Sequence, residues 1–391
     1  MTEKLYYADS HIKRFEAKVL SCEKQADGYA VTLDRTAFFP EGGGQSADTG
    51  FIGSAAVSDV HEKNGEILHY VNEALTVGES LGCVIDWEQR HRRMQNHSGE
   101  HVVSGLVHNK FGFNNIGFHM GRDAVTIDFD GELDAAQLAE IEREANLIVS
   151  EDRRVITEFP EAERLSAMEY RSKLELTENV RIVTVEGVDV CACCAPHVKS
   201  TAEIGLIKIL SCERRRRGGV GVRVTMLCGL DAFDDYVIKQ NNAAAVSALL
   251  SAPQNDIASA VERVLAEQEK LRRRISELGR ELAAMKAEAI AGTEGNICIF
   301  DDCLDEAALR MLVNAAVGKC SGIAAVFSGS DADGYRYIIG SRGIDLRAEA
   351  KRINAGISGR GGGSREMIQG SCKADGKSIQ SFIQNLTFMQ L

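Results

Sequence analysis

The sequence predicts a multidomain α+β protein, and three observations carry that expectation. Residues 1–88 hold short strand-like runs separated by glycine, the pattern of a small β-barrel or meander. Residues 232–292 read as helix with an apolar heptad seam, the pattern of a helical hairpin or a coiled coil. Residues 89–231 and 293–391 mix helical and strand-like stretches, the first as α+β with an antiparallel sheet, the second as a small α/β domain. Length agrees, since 391 residues exceed one ordinary domain.

Composition bounds the function classes. At 44% hydrophobic and 26% charged residues the chain is ordinary for a globular protein. No apolar run approaches the roughly 18 residues of a membrane span. Met1-Thr2-Glu3-Lys4-Leu5 lacks the basic start and apolar core of a signal peptide. The eleven cysteines, an odd number, then point to a reducing cytoplasmic setting and to metal-binding or structural thiols rather than disulfides. A net charge of −12 argues against an avid, non-specific nucleic-acid binder and leaves room for a local basic patch.

In the first segment, 17–21 and 30–33 have strand-like apolar content, punctuated by Gly28, Gly50 and Gly53. Leu33-Asp34-Arg35-Thr36-Ala37-Phe38-Phe39-Pro40-Glu41-Gly42-Gly43-Gly44-Gln45 follows. Three consecutive glycines let backbone approach a ligand closely, and Gln45 offers it a hydrogen-bonding amide. A plain glycine-rich hairpin loop satisfies the same pattern.

Over 86–111 Trp87, His91, Met94, His97 and His101 recur at helical spacing, and Val102, Val103, Leu106 and Val107 extend an apolar face. His97 and His101 stand at i and i+4 on one face of that helix. Cys191-Ala192-Cys193-Cys194-Ala195-Pro196-His197 answers with CxxxH. One thiolate and three imidazoles, from His97, His101, Cys193 and His197, make the donor set of a tetrahedral zinc site. Cys191 and Cys194 are alternative thiolates. Glu100 lies about 100° round the helix from His101 and reads as solvated surface. His11, His61, His69, His91, His108 and His119 read as structural or surface residues.

Residues 123–130 alternate as a strand. A helix runs from the N-cap Asp134 to about residue 150, a short one fits 161–171, and 180–185, 203–210 and 220–227 read as strands. Arg214-Arg215-Arg216-Arg217, followed by Gly218-Gly219, reads as a solvated turn or an RNA-backbone contact. Pro253 interrupts the helical segment. Beyond it Ile257, Val261, Val264, Leu271, Ile275, Leu278, Leu282 and Met285 keep four-three spacing, broken only at Gln268. That seam serves equally a hairpin with the preceding helix and a homodimer.

In the last segment 296–300, 323–327 and 335–339 read as strands, and 304–317 and 346–354 as helices. Ser358-Gly359-Arg360-Gly361-Gly362-Gly363-Ser364-Arg365 comes near its end, and 336–373 holds eight Lys/Arg against three Asp/Glu. A glycine-rich loop with basic flanks brings backbone and cations to phosphate. This makes Arg360, Gly361, Gly362, Gly363 and Arg365 candidate nucleic-acid contacts. No GxxxxGK[ST] follows, so a P-loop is not indicated.

Taken together, these blocks resemble the free-standing alanyl-tRNA editing proteins, the AlaX family, in its long form, which is similar to the editing and C-terminal domains of alanyl-tRNA synthetase. LDRTAFFPEGGGQSADTG resembles the family's glycine loop and HSGEH its first metal pair. CCAPHVKSTAEIG resembles CGGTHVxxTxEIG, placing Cys193 and His197 on its ligands, and SGRGGGSREMIQGS resembles the glycine motif of a DHH-associated C-terminal domain. The blocks stand in the family's order and span nearly the whole chain.

The resemblance implies a zinc-binding editing domain over 89–231, a DHH-associated tRNA-binding domain over 293–391, and one Zn2+ per chain. It implies hydrolysis of tRNA(Ala) mischarged with serine, and by extension glycine. An alanine pocket excludes a slightly different amino acid poorly, so a second site must remove the errors. Thr36 is then the expected partner of the seryl hydroxyl, and Gln45 is expected to hold substrate near the metal. If all four ligands bind at once, either water adds as a fifth ligand or the zinc only positions substrate. Cys194-Ala195-Pro196 replaces the family's usual GGT and implies a differently shaped pocket wall. Ser364-Arg365-Glu366 stands where Arg-Pro is common. No Asp-His-His motif occurs, against a phosphoesterase. The glycine loop near residue 42 leaves no room before it for aminoacylation, so deacylation without charging is expected. The rival expectations are a zinc-dependent hydrolase of another small ester and a tRNA-binding dimerisation protein with a structural zinc.

Overall fold

In the computed structural model, which describes residues 2–121, 123–172, 180–215, 220–302 and 304–388, period-two alternation sets the first element. Along Glu66–Val71 the side chains of Ile67, His69 and Val71 turn inward and those between them outward. Six strands, in the order Arg14–Gln25, Gly28–Leu33, Glu66–Val71, Ala55–Lys63, Gly50–Ile52 and Ser80–Ile85, close into a barrel. Closure leaves no unpaired sheet edge. Val31, Leu33, Phe38, Ile52, Val60 and Ile67 fill the barrel and are fully buried.

The long helix Trp87–Phe111 begins where the Asp86 carboxylate accepts from the Gln89 N–H and ends at Gly112 in the left-handed region, φ 73°. Every residue from Met94 to Val107 is buried, so this helix is covered on all sides rather than along one stripe. Gly105 makes part of that possible. A Cβ there would stand 2.7 Å from the Val188 carbonyl oxygen, so only glycine lets the helix lie against the 188–189 turn. Two antiparallel sheets surround it. One has the order Ile207–Arg214, Val222–Cys228, Val125–Phe129, Asn115–Met120, and the other Val155–Glu158, Ile182–Val185, Asp189–Ala192. Helix Ala135–Ser150 opens with a full capping box between Asp134 and Gln137.

Two local expectations need correction. The helix over 161–171 is only Ala162–Ala167, because Arg171 forms a β-bridge to Cys191. The strand over 203–210 begins at Ile207, after a 3-10 turn Thr201–Ile204 and Gly205 at φ 80°. The Thr201 hydroxyl, which donates to the Ile148 carbonyl and accepts from the Arg153 N–H, anchors that turn.

The chain divides into two units, Met1–Asn242 and Ala243–Leu391, the division falling within helix Gly229–Leu250. In the second unit, strands Ile297–Asp301, Ala324–Ser330, Gly334–Gly340, Met367–Cys372 and Gly359–Gly363 form one sheet in that order. Its first pair is parallel and the rest are antiparallel. Helices Glu306–Val317, Leu346–Gly356 and Gly376–Asn385 start on Asp305, Asp345 and Asp375, whose carboxylates cap their N-termini. Helix Ile257–Ala289, 33 residues long, buries Ala260, Gly279 and Ala283. Its heptad seam is exposed in part. Val261, Val264, Leu271, Ile275, Leu278 and Met285 are exposed, whereas Ile257 is half-buried and Leu282 packs against the cluster of Leu304, Leu309 and Leu312.

The glycine-rich block is not the loop that its composition suggests. Gly359–Gly363 is the edge strand of the five-stranded sheet. A Cβ on Gly361 would come 2.3 Å from both the Gln369 carbonyl oxygen and the Tyr337 hydroxyl, so glycine is what admits the strand. Asn354 Nδ2 donates to the Gly361 carbonyl at 3.0 Å and Arg347 Nε to that of Gly363 at 3.3 Å, occupying two outward carbonyls of the edge.

Candidate metal centre

One turn of helix sets His97 and His101 side by side, with ring centroids 5.6 Å apart. The segment that leaves strand Asp189–Ala192 brings Cys193 and His197 against them. One ligand atom from each of the four lies within 4.8 Å of the others. Cys193 Sγ is 3.5 Å from His97 Nε2 and 3.3 Å from His197 Nε2. Bonds of about 2.0–2.3 Å at tetrahedral angles require edges of roughly 3.5 Å, so the spacing fits zinc, as does the donor chemistry of one sulfur and three imidazoles.

A second ring of partners fixes the imidazoles. His97 Nδ1–H donates to Gln45 Oε1 at 3.0 Å and His101 Nδ1–H to Asp189 Oδ2 at 2.9 Å, and His197 Nδ1 is hydrogen-bonded to Ser98 Oγ at 3.0 Å. With every Nδ1 committed, each Nε2 is the nitrogen left to coordinate. Asp189 is itself clamped by Arg171 through Nε at 2.7 Å and a terminal nitrogen at 2.8 Å.

Electrostatics agree with ligation. Burial alone would push the Cys193 thiol up, but His97, His197 and His101 bring it well below its ordinary value, favouring thiolate. Burial pushes His197 down to about 3 despite Cys193, keeping it neutral. Burial also opposes charge on His101, yet the hydrogen bonds with Asp189 and Cys193 raise it well above its ordinary value. A divalent cation on Nε2 would displace the proton shared with Cys193. The carboxyl of Asp189 is pushed up by burial and pulled down further by His101 and Arg171, to about 2. Cys191 groups with His101 and Asp189 but not with His97, Cys193 and His197, and its thiol is pushed to about 11 by burial. Cys194 packs on the glycine loop, 3.3 Å from where a Gly43 Cβ would stand.

Beside the quartet lies a cavity of about 420 Å³. Aromatic Tyr7, Phe118 and Phe159 form part of its wall, with Gly43 and Gly44 of the glycine loop opposite. Gly44, at φ 82°, leaves room for the Phe118 ring, which a Cβ would meet at 2.7 Å.

The remaining expected residues fall as follows. Gln45 is buried, and its Oε1 holds His97. Its Nε2 is buried without a hydrogen-bond partner. Thr36 is also buried. It does not line the cavity, and its hydroxyl is paired at the barrel, 2.8 Å from His69 Nε2, while accepting from the Phe38 N–H. Arg360, Gly361, Gly362 and Gly363 are exposed on the edge strand of the second unit, and Arg365 is exposed just beyond it. Of the arginine run, Arg215 approaches Asp128 at 3.7 Å and Arg214 approaches Glu132 at 3.7 Å. Arg216, Arg217, Gly218 and Gly219 lie outside the described residues.

Glu100 escaped the sequence reading. It is 3% exposed and lines the cavity, where a solvated surface position was expected. Its Oε1 accepts from Ser104 Oγ at 2.6 Å and from Asn115 Nδ2, and its Oε2 lies 3.9 Å from His101 Nε2. The helical angle was read correctly, but a helix buried all round has no solvated side.

Comparison with known proteins places this geometry. The family described as the threonyl and alanyl tRNA synthetase second additional domain matches residues 180–220, and tRNA synthetases class II (A) matches residues 2–89. The chain is 32% identical over 299 residues to an alanyl-tRNA editing protein AlaX-L of Pyrococcus horikoshii, covering 74% of each. It is 37% identical over 239 residues to an AlaX-M of Saccharolobus solfataricus, covering 58% of this chain and 99% of that protein. Against an alanine–tRNA ligase of Natronomonas pharaonis it is 33% identical over 373 residues, 89% of this chain but only 39% of the ligase. The chain belongs to the AlaX family of alanyl-tRNA editing proteins.

Proposed function

We propose that this protein is a zinc-dependent aminoacyl-tRNA deacylase acting in trans, which hydrolyses Ser-tRNA(Ala) and also Gly-tRNA(Ala). The observation that carries the reading is the set of three imidazoles whose Nδ1 atoms are all committed, so that three Nε2 atoms and the Cys193 thiolate converge beside a cavity. His97, His101, Cys193 and His197 hold one Zn2+. When bound, it supplies Lewis-acid polarisation of the ester carbonyl and activation of water. Gln45, Ser98 and Asp189 keep the three rings in register, and the Arg171 clamp keeps Asp189 ionised and in place. Tyr7, Phe118 and Phe159 exclude bulk water from one side of the ester. The names of the relatives, alanyl-tRNA editing proteins and alanine–tRNA ligases, support tRNA(Ala) as the substrate carrier.

In the same reading, the second unit is a DHH-associated domain that binds tRNA through Arg360, Gly361, Gly362, Gly363 and Arg365, and the exposed seam of helix Ile257–Ala289 pairs two copies. The test is single-turnover deacylation of Ser-tRNA(Ala), Gly-tRNA(Ala) and Ala-tRNA(Ala) by the zinc-loaded protein. Serine and glycine esters are expected to be lost and the alanine ester spared. Equal rates on all three remove selective editing, and no loss of any ester removes the deacylase.

A further inference from the structure

The cavity beside the quartet, about 420 Å³, has the size of a pocket for a drug-sized ligand and exceeds what a seryl or glycyl group fills. Its wall changes character from one part to another. His97, Glu100, His101, Arg171, Arg181 and Cys193 give it charge and ligand atoms, and Tyr7, Phe118 and Phe159 give it aromatic surface. Tyr7 and Phe159 pack edge to face, with ring centroids 5.2 Å apart and planes at 74°. Tyr7 is held by other neighbours too, by the Tyr6 ring at 4.6 Å and by the Arg181 guanidinium 5.4 Å from its ring. Phe159 differs. Tyr7 is its one ring contact among the described residues, and it is 49% exposed.

The chain on both sides fixes that phenyl. Phe159 joins strand Val155–Glu158 to helix Ala162–Ala167. Pro160 after it keeps its backbone extended, and Glu158 before it accepts two hydrogen bonds from Arg164, at 2.7 and 2.8 Å. A half-exposed ring set in a cavity wall keeps an apolar surface that a flat, apolar-faced partner covers better than water does.

An aminoacyl ester of tRNA brings such a partner. The acyl group sits on the ribose of the terminal nucleoside, so a base lies one sugar away from the ester carbonyl. With the ester at the quartet, the polar end of the substrate meets the polar walls and the base is left for the aromatic one. The base is neutral, so its seat needs no charge. Stacking on an aromatic side chain asks only for a π face, which every base has.

We infer that Phe159 is the platform on which the base of the substrate's terminal nucleoside stacks. The inference rests on the deacylase reading above and adds a substrate-binding residue outside the metal centre.

The experiment measures binding of two probes that cannot be hydrolysed, 3′-serylamido-3′-deoxyadenosine and the same serylamido sugar with hydrogen in place of the base. Both are titrated into the full-length zinc-loaded native protein, Phe159→Ala and Phe159→Trp at equal zinc content. The native protein is expected to prefer the nucleoside by about 10- to 100-fold. In Phe159→Ala that ratio should fall towards one with the base-free probe bound as before, and Phe159→Trp should keep it. The guanosine version should bind the native protein within a few-fold of the adenosine one. Equal native affinity for the nucleoside and the base-free sugar overturns the inference. A ratio that survives in Phe159→Ala overturns it by seating the base elsewhere, and an equal loss of both probes overturns it by making Phe159 a wall residue only. A native protein that accepts adenosine alone overturns it as well, because hydrogen bonding then holds the base. Single-turnover hydrolysis of Ser-tRNA(Ala) by the native protein runs alongside; an ester left intact overturns the deacylase reading, and this inference falls with it.

Discussion

At the scale of single residues, orientation of the ligands does as much as their identity. Asp189 receives the His101 Nδ1–H and is clamped by Arg171. Asp189→Asn keeps the shape but weakens the acceptor and leaves the guanidinium without its counter-charge. Zinc affinity is expected to fall about 10- to 100-fold, read by competition with a chromogenic chelator; unchanged affinity would show that His101 needs no such partner. Thr36 gives a contrasting case. His69 Nδ1–H donates to the Val31 carbonyl, so His69 Nε2 must accept, and the Thr36 hydroxyl supplies the proton. Thr36→Val leaves that buried acceptor unpaired and should cost about 1–3 kcal/mol of stability at neutral pH, with zinc content unchanged. A variant of native stability that has lost only serine hydrolysis would return Thr36 to the cavity role the resemblance implied.

His69 also sets a pH dependence. Burial lowers its pKa from 6.5 to about 4, against the Val31 hydrogen bond, which raises it. The unfolded chain therefore takes up this proton first as pH falls. The stability contributed by neutral His69 is complete above pH 6.5, erodes between 6.5 and about 4, and is gone below. Thermal midpoints measured across that window should fall, and His69→Phe should flatten the part of the curve that this residue owns. An identical pH profile in the variant would assign the loss to other groups.

At the scale of elements, what was legible in the sequence is what is local. HxxxH and CxxxH each sit within one turn or one short loop, and that is why the four donors could be grouped from spacing alone. Their partners could not be read this way. Gln45, Ser98 and Asp189 meet their histidines across 52, 99 and 88 residues, a separation that only the packed sheets create. Glu100 was misplaced because periodicity gives an angle round the helix and not what covers it. The glycine strand was read as a loop because glycine has low strand propensity; the close approach of Tyr337 and Gln369 outweighs propensity there. The seam of helix Ile257–Ala289 was legible as a pattern, but what covers it was not. Leu271 and Ile275, one turn apart, are 57% and 65% exposed. A parallel or antiparallel pairing of two copies would bury them. Sedimentation should show a dimer in the native protein and a monomer in the double variant Leu271→Glu, Ile275→Glu, with zinc content equal in the two. A native protein that stays monomeric at all concentrations would remove the proposed pairing.

At the scale of the whole molecule, the proposed function assigns different chemistry to the two units. The quartet of His97, His101, Cys193 and His197, its orienting partners and the cavity all belong to Met1–Asn242. The AlaX-M of Saccharolobus solfataricus is matched over 99% of its own length by only 58% of this chain. The glycine edge strand and its arginines belong to Ala243–Leu391. A protein ending at Leu250, where helix Gly229–Leu250 closes, should fold, hold zinc and hydrolyse a minimal seryl-adenosine ester at the native rate. Its affinity for tRNA should be weaker. The reason is electrostatic: the full sequence carries a net charge of −12, so phosphate contacts have to come from a local surface, and 336–373 holds eight Lys/Arg against three Asp/Glu. Each phosphate neutralised releases condensed counterions, and log affinity should fall linearly with log salt. The truncated protein should show a shallower slope than the full chain, by about 0.7–0.9 for each lost contact. Filter binding of tRNA(Ala) to both proteins from low to physiological salt measures this directly. Equal affinities and equal slopes would move tRNA recognition into the first unit, and loss of the minimal ester activity on truncation would show that the two units act as one catalytic body.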